Sequence, residues 1–125
     1  MRTILYVGAG GFLGAAARHA VGTWAGRVGA GSNVPLGTFT VNVVGCFAIG
    51  LLAGLAESRP IVTHELRLFL VVGVLGGFTT FSAFGLEAFE LLRRGFVGTA
   101  AVHAFGQLTL GTAAVGVGYL LGNRI

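Results

Sequence analysis

The residues with most to offer chemically stand in one short string, Gly76-Gly77-Phe78-Thr79-Thr80-Phe81-Ser82-Ala83-Phe84. Two adjacent glycines weaken a helix, and the hydroxyls of Thr79, Thr80 and Ser82 follow at once. Inside an apolar run that combination predicts a local unwinding. Unwound backbone at membrane depth is tolerated only where protein buries it or where it lines a cavity, and its freed carbonyls can hold a cation. Phe78, Phe81 and Phe84 recur along one slowly turning stripe. Such a stripe ordinarily packs a core. An aromatic ring also has a positive edge. Ring edges with amide and hydroxyl donors make a site for a small, hard anion without any fixed positive charge. A site of that kind releases its ion readily, as conduction requires.

Polar support comes from two other apolar runs. Thr38, Thr40 and Asn42 lie in one, and Thr38 and Asn42 share a helix face by their spacing. Asn42 carries two N–H donors and needs a partner or a wet cavity in hydrocarbon. Gln107, Thr109 and Thr112 lie in the other. Each of these groups also suits simple helix–helix adhesion. His103 is the one candidate for proton coupling in its run, with the role of a neutral histidine hydrogen-bonded between helices. Glu87 and Glu90 close the third run and are expected to reach the membrane interface. The sequence has no HExxH, no paired buried carboxylates and no Ser/His/Asp arrangement, so an enzyme is not expected. Proton-coupled transport, which normally uses an embedded carboxylate or histidine, is disfavoured. The single cysteine, Cys46, permits no intrachain disulfide and reads as a small hydrophobe.

The elements that must position these groups follow from composition. Of 125 residues, 54% are hydrophobic and only 10% charged, with mean hydropathy +0.88. A soluble domain carries about 25% charge, so a bilayer is the solvent that fits. Spans are expected at approximately 3–24, 36–56, 68–86 and 96–122, forming one transmembrane domain over 1–125. The first can cross only if it continues through Arg18 and His19 towards Trp24, with Arg18 snorkelling or facing water or protein. Two look-alikes occur there. Arg2, an apolar run and Ala15-Ala16-Ala17 have the form of a signal peptide, but cleavage would remove a glycine-rich packing face. Gly8-x-x-Gly11-x-x-Gly14 mimics a dinucleotide-binding turn, but no second βαβ strand follows and no acid precedes Glu57. Gly10/Gly14, Gly50/Gly54, Gly73/Gly77 and Gly118/Gly122 instead have the spacing that lets helices approach closely. Short connections complete the layout: Arg18 to Pro35, Glu57 to Arg67 with Pro60, and Glu87 to Gly95.

The net charge of +4 comes from arginines scattered at the ends of apolar runs, singly except for Arg93-Arg94. That distribution suits lipid headgroups, not a nucleic acid. With four spans, Arg2, Arg59, Arg67 and Arg124 lie on one side and Arg18, Arg27, Arg93 and Arg94 on the other. The balance sets no orientation by the positive-inside rule. Either another factor orients the chain or both orientations insert and pair; the balance favours the second, an antiparallel dual-topology homodimer.

Three strings together resemble the CrcB/Fluc family of fluoride channels across nearly the whole chain. They are Gly11-Phe12-Leu13-Gly14-Ala15 with Arg18; Gly37-Thr38-x-x-Val41-Asn42-x-x-Gly45; and Gly73-x-x-Gly76-Gly77-Phe78-Thr79-Thr80-Phe81-Ser82-x-Phe84. The resemblance implies an all-α membrane protein with four transmembrane helices per subunit. The third helix would be broken near its middle, and two subunits would form a dual-topology homodimer. It further implies that Phe81 and Phe84 face fluoride in the pore, with Asn42 lining it and Thr80 and Ser82 beside it. Arg18 would belong to the aqueous vestibule. Backbone carbonyls of Gly76 and Thr79 from both subunits would hold a structural, non-transported sodium ion. Ala83 stands where the family pattern has threonine, and His103 where a tyrosine is expected. Gln107 falls near a usual serine, so Gln107 and Thr112 are the expected polar track of the fourth helix, and His103 could add a pH dependence. The implied partners are fluoride, the lipid bilayer and a second copy of the chain in a cell membrane. The competing reading is a dual-topology small multidrug-type cation transporter, which requires an anionic residue facing a central pocket.

Overall fold

The computed structural model describes residues 1–59 and 62–125, and Pro60 lies outside them. All regular structure among the described residues is helical. Helix α1 runs Arg2–Val28 and passes through Arg18 and His19 without interruption, so the short first run is extended to spanning length. After a turn in which Val34 N–H donates to Ser32 Oγ at 3.1 Å, α2 covers Leu36–Ser58. The third rod opens at Thr63, whose hydroxyl caps α3 (His64–Arg67) by accepting the Leu66 N–H at 3.2 Å. It continues as a π-wound stretch, Leu68–Leu75, then α4 (Gly76–Phe78), and after an interruption α5 (Phe81–Arg93). The last helix, α6, spans Val97–Arg124.

The turn between α5 and α6 follows from one glycine. Gly95 sits at φ 82°, the left-handed region that side chains avoid. Its N–H reaches Leu92 O at 3.0 Å and the Phe96 N–H reaches Leu91 O at 2.9 Å, the paired bonds of a Schellman stop.

Four helical stretches are long and apolar enough to cross a membrane: Arg2–Val28, Leu36–Ser58, His64–Arg93 and Val97–Arg124. Their outer faces carry exposed Leu5, Phe12, Trp24, Val72, Phe89 and Phe105. Such a surface is stable against lipid tails and not against water.

Glycine holds the rods together in two seams. Gly10 and Gly14 of α1 meet Gly73 and Gly77 of the third rod; a Cβ on Gly73 would come within 2.9 Å of Gly10 Cα, and one on Gly77 within 2.6 Å of Gly11 O. Gly50 and Gly54 of α2 meet the α6 backbone at Val115 and Tyr119, while Gly118 and Gly122 meet Phe47 and Leu51 in return. Every glycine pair with the four-residue spacing named above therefore lies at a backbone-to-backbone contact. In a bilayer, where apolar burial gives helices little reason to associate, this close packing supplies the attraction.

The interruption of the third rod falls at Thr79 (φ −82°, ψ 158°) and Thr80 (φ −151°, ψ 112°). This corrects the expectation that the glycine pair unwinds: Gly76 and Gly77 stay helical. Gly77 is small because α1 passes against it. The chain leaves the helix at Thr80 because its hydroxyl accepts the Ala83 N–H at 3.2 Å, starting α5 as an N-cap.

Candidate functional site

The interruption exposes backbone groups that a continuous helix would pair, and Asn42 takes them. Its Oδ1 accepts the Thr80 N–H at 2.9 Å, and its Nδ2 donates to Thr80 O at 3.1 Å. One side-chain amide thus reads both polar groups of one residue, which fixes which end is oxygen and which nitrogen. The remaining Nδ2 hydrogen goes to Gln107 Oε1 at 2.7 Å. That orients the Gln107 amide in turn, so its Nε2 faces His103 Nε2 at 3.2 Å. Three helices are joined in this way by side chains whose orientations are set from the Thr80 backbone outward.

His103 is fully enclosed, and its Nδ1 has no hydrogen-bond partner among the described residues. Its Nε2 lies 3.3 Å from Glu87 Oε2. The other carboxylate oxygen, Oε1, accepts from Thr38 Oγ1 at 2.6 Å. Glu87 therefore turns inward, against the expectation that it reaches the membrane interface. A readable signal existed. Gly95 ends α5, and Glu87 and His103 lie eight residues before and after it (95 − 87 = 103 − 95). Equal distances from the turn of a helical hairpin place two residues at the same depth.

Aromatic rings flank this cluster. Phe81 and Phe84 lie 5.5 Å apart between ring centroids, tilted by 47°, and Phe84 lies 5.2 Å from the His103 ring. Phe84 is half-buried, whereas Phe81 is 82% exposed on the single chain. Ser82 is exposed, with Oγ 3.3 Å from Thr80 Oγ1. Three cavities meet the cluster. A cleft of about 520 Å³ contains Arg18, Thr38 and Glu87, and Arg18 also shares a smaller void of about 160 Å³ with Thr38 and Thr80. A third space, about 620 Å³, is mostly apolar and is lined by Asn42, Gly76, Thr79, Phe81, Phe84 and Gln107. The structure thus brings Arg18, Asn42, Thr80, Ser82, Phe81, Phe84 and Gln107 into one neighbourhood. It does not bring Thr112 there: that residue is exposed and its hydroxyl donates to Leu108 O at 2.7 Å.

Gly76 and Thr79 line the large cavity. A helical Thr80 N–H would go to the Gly76 carbonyl, but Asn42 has it. A helical Ala83 N–H would go to the Thr79 carbonyl, but the Thr80 hydroxyl has it. Both carbonyl oxygens are thereby released from the helical ladder, which is the donor chemistry a hard cation needs.

A family model described as CrcB-like protein, Camphor Resistance (CrcB), matches residues 5–119. The chain belongs to the CrcB family. CrcB-family relatives match it end to end. The fluoride-specific ion channel FluC of Agrobacterium fabrum is 47% identical over 125 residues, covering 100% of this chain and 99% of its own. That of Paracoccus denitrificans is 48% identical over 123 residues, covering 98% and 96%. That of Methylobacillus flagellatus is 42% identical over 121 residues, covering 97% and 94%. With four membrane-capable helices, this CrcB-family chain is a multi-pass integral protein of the cell membrane. The cation-transporter alternative gains nothing from these relatives. Its required inward acid is Glu87, one of whose carboxylate oxygens accepts from Thr38.

Proposed function

We propose that the chain is a passive, fluoride-selective channel that lets the anion leave the cytoplasm. The observation that carries this reading is the end-to-end match to relatives named as fluoride-specific ion channels. The driving force needs no coupling. Hydrogen fluoride is a weak acid that crosses bilayers neutral and dissociates inside. The trapped anion is then driven outward by an inside-negative potential, about 2.3 kcal/mol per charge per 100 mV.

The residues divide the work. Arg18 draws the anion into the cleft it shares with Thr38 and Glu87. At the interruption Asn42, Gln107 and the hydroxyls of Thr80 and Ser82 replace its water, and the ring edges of Phe81 and Phe84 cover the rest. Fluoride holds its hydration shell tightly, so only a narrow path dense in donors can take it in place of water. Thr112, with its hydroxyl held by Leu108 O, stays off this path.

The working unit is an antiparallel homodimer of oppositely inserted copies. Two features support it. The arginines balance across the membrane, and the polar cluster opens on a broad apolar cavity bordered by the exposed Phe81. Carbonyls of Gly76 and Thr79 from both copies hold a sodium ion, which supplies positive charge that joins the copies and is not transported. One chain offers too few such oxygens to replace the ion's water.

Fluoride efflux from liposomes containing the purified protein, followed with a fluoride electrode, tests the reading. Efflux well above protein-free vesicles is expected. Its absence from a well-folded preparation removes the channel assignment.

A further inference from the structure

His103 touches neither interrupted backbone nor vestibule, yet it sits at the end of the chain of amides that begins at Thr80. Asn42 cannot reverse its amide without losing both bonds to the Thr80 backbone. Gln107 can: its Oε1 faces Asn42 Nδ2 and its Nε2 faces His103 Nε2, and a turn about its last torsion exchanges them. Which way it points depends on whether His103 Nε2 bears a proton.

Without that proton the neutral ring carries its hydrogen on Nδ1, Nε2 accepts the Gln107 N–H, and Gln107 Oε1 occupies the free donor of Asn42. This arrangement leaves a visible strain. The Nε2 lone pair then faces Glu87 Oε2 at 3.3 Å, acceptor to acceptor, and that oxygen is buried with no hydrogen-bond partner among the described residues. With the proton, Nε2 donates to Glu87 Oε2 and repels the Gln107 N–H. Gln107 then reverses, placing its oxygen towards His103 and its N–H towards Asn42. Two N–H donors, Asn42 Nδ2 and Gln107 Nε2, now converge without an acceptor between them. A small anion is the group that satisfies both.

We infer that His103 is a positioning residue: its Nε2 proton turns the Gln107 amide and thereby opens an anion site between Asn42 and Gln107, which Gln107 Oε1 otherwise fills. The inference rests on the channel reading for its physiological meaning. The other groups facing His103 are few. α5 presents Glu87 and Phe84, and α2 presents Phe39, with its Thr38 on the Glu87 carboxylate and its Asn42 on Gln107. Arg18 and His19 of α1 line the cleft onto which Glu87 opens. Acidification favours the Nε2-protonated form, so it favours the open site.

The test is fluoride efflux from liposomes between about pH 8 and about pH 5, the range in which histidine changes charge, with protein-free vesicles correcting for leakage of hydrogen fluoride. Wild-type efflux should rise about fivefold on acidification, the equilibrium equivalent of one net hydrogen bond. His103→Gln should lose the pH dependence, and Gln107→Leu, which lacks the amide donor, should lose both the rise and most of the conduction. A wild-type channel that conducts with a flat profile overturns the inference, as does His103→Gln keeping the wild-type rise. Absence of wild-type efflux at either pH is a failure of the channel reading instead. In that case NMR of the side-chain amides decides the relay. The Asn42 Nδ2 resonances must shift as His103 titrates and must stop shifting in Gln107→Leu; stationary resonances in the wild type overturn it.

Discussion

Asn42→Ala removes the one group that pairs both polar atoms of Thr80. The lost bonds are Oδ1 to the Thr80 N–H at 2.9 Å, Nδ2 to Thr80 O at 3.1 Å, and Nδ2 to Gln107 Oε1 at 2.7 Å. Each orphaned backbone group that water does not reach costs about 1–3 kcal/mol. The two at Thr80 therefore cost about 2–6 kcal/mol together. The chain can recover part of this by returning the Thr80 N–H to Gly76 O, but that rewinds the interruption and displaces the Thr80 hydroxyl from Ala83. Either way the geometry around Phe81 is lost. Unfolding in detergent should occur well below the wild-type midpoint, and fluoride efflux should fall at least tenfold, the equivalent of about 1.4 kcal/mol. Asn42→Asp separates the parts. It keeps an acceptor for the Thr80 N–H but sets a carboxylate against Thr80 O, Gln107 Oε1 and any passing anion. It should conduct no better than Asn42→Ala. The reasoning is refuted if Asn42→Ala melts and conducts like the wild type.

Other expectations can be checked with the same preparations. Gly50→Ala places a Cβ against the Val115 backbone and should destabilise the fold by about 1–3 kcal/mol; Gly116→Ala, with nothing within 4 Å, should leave the melting midpoint unchanged. Phe84→Ile removes a ring edge beside His103 and Phe81 and should slow efflux several-fold, whereas Thr112→Val should leave it unaltered. Replacing sodium throughout by a large organic cation should weaken subunit association on size exclusion, and unchanged association would remove the Gly76–Thr79 cation from the assembly.

Much of the architecture could be read directly because a bilayer imposes it. Uncharged runs of spanning length had to be helices, and glycines four apart had to be contact faces once water was excluded as solvent. The interruption was harder to place. Gly76-Gly77 has the propensity to unwind, but a propensity near 1 kcal/mol per glycine yields to a packing surface, and α1 supplies one. Thr80 carried the stronger signal as an N-cap of the following helix. Arg18, Asn42, Phe81, Phe84 and Gln107 could be picked out as candidates, because each is an oddity in an apolar run or part of a specific string. Glu87 could not, since its place at the end of an uncharged run equally suits an interfacial acid. Only the tight turn at Gly95, which folds α5 back on α6, decides its depth. The orientation of the Gln107 amide lay outside any sequence pattern, because it is inherited through Asn42 from the backbone of another helix.

The two glycine seams also carry a consequence for how the chain comes together. They join the first rod to the third and the second to the fourth, so the two rods of each seam are not neighbours in sequence. Neither seam can close during synthesis until the third rod has entered the bilayer, and the second must wait for the last. A chain divided between residues 59 and 62 would give two halves, each holding one edge of both seams and neither seam whole. Such halves should be poorly folded alone and should recombine when expressed together, a split-protein complementation that sequential hairpin pairing would not produce.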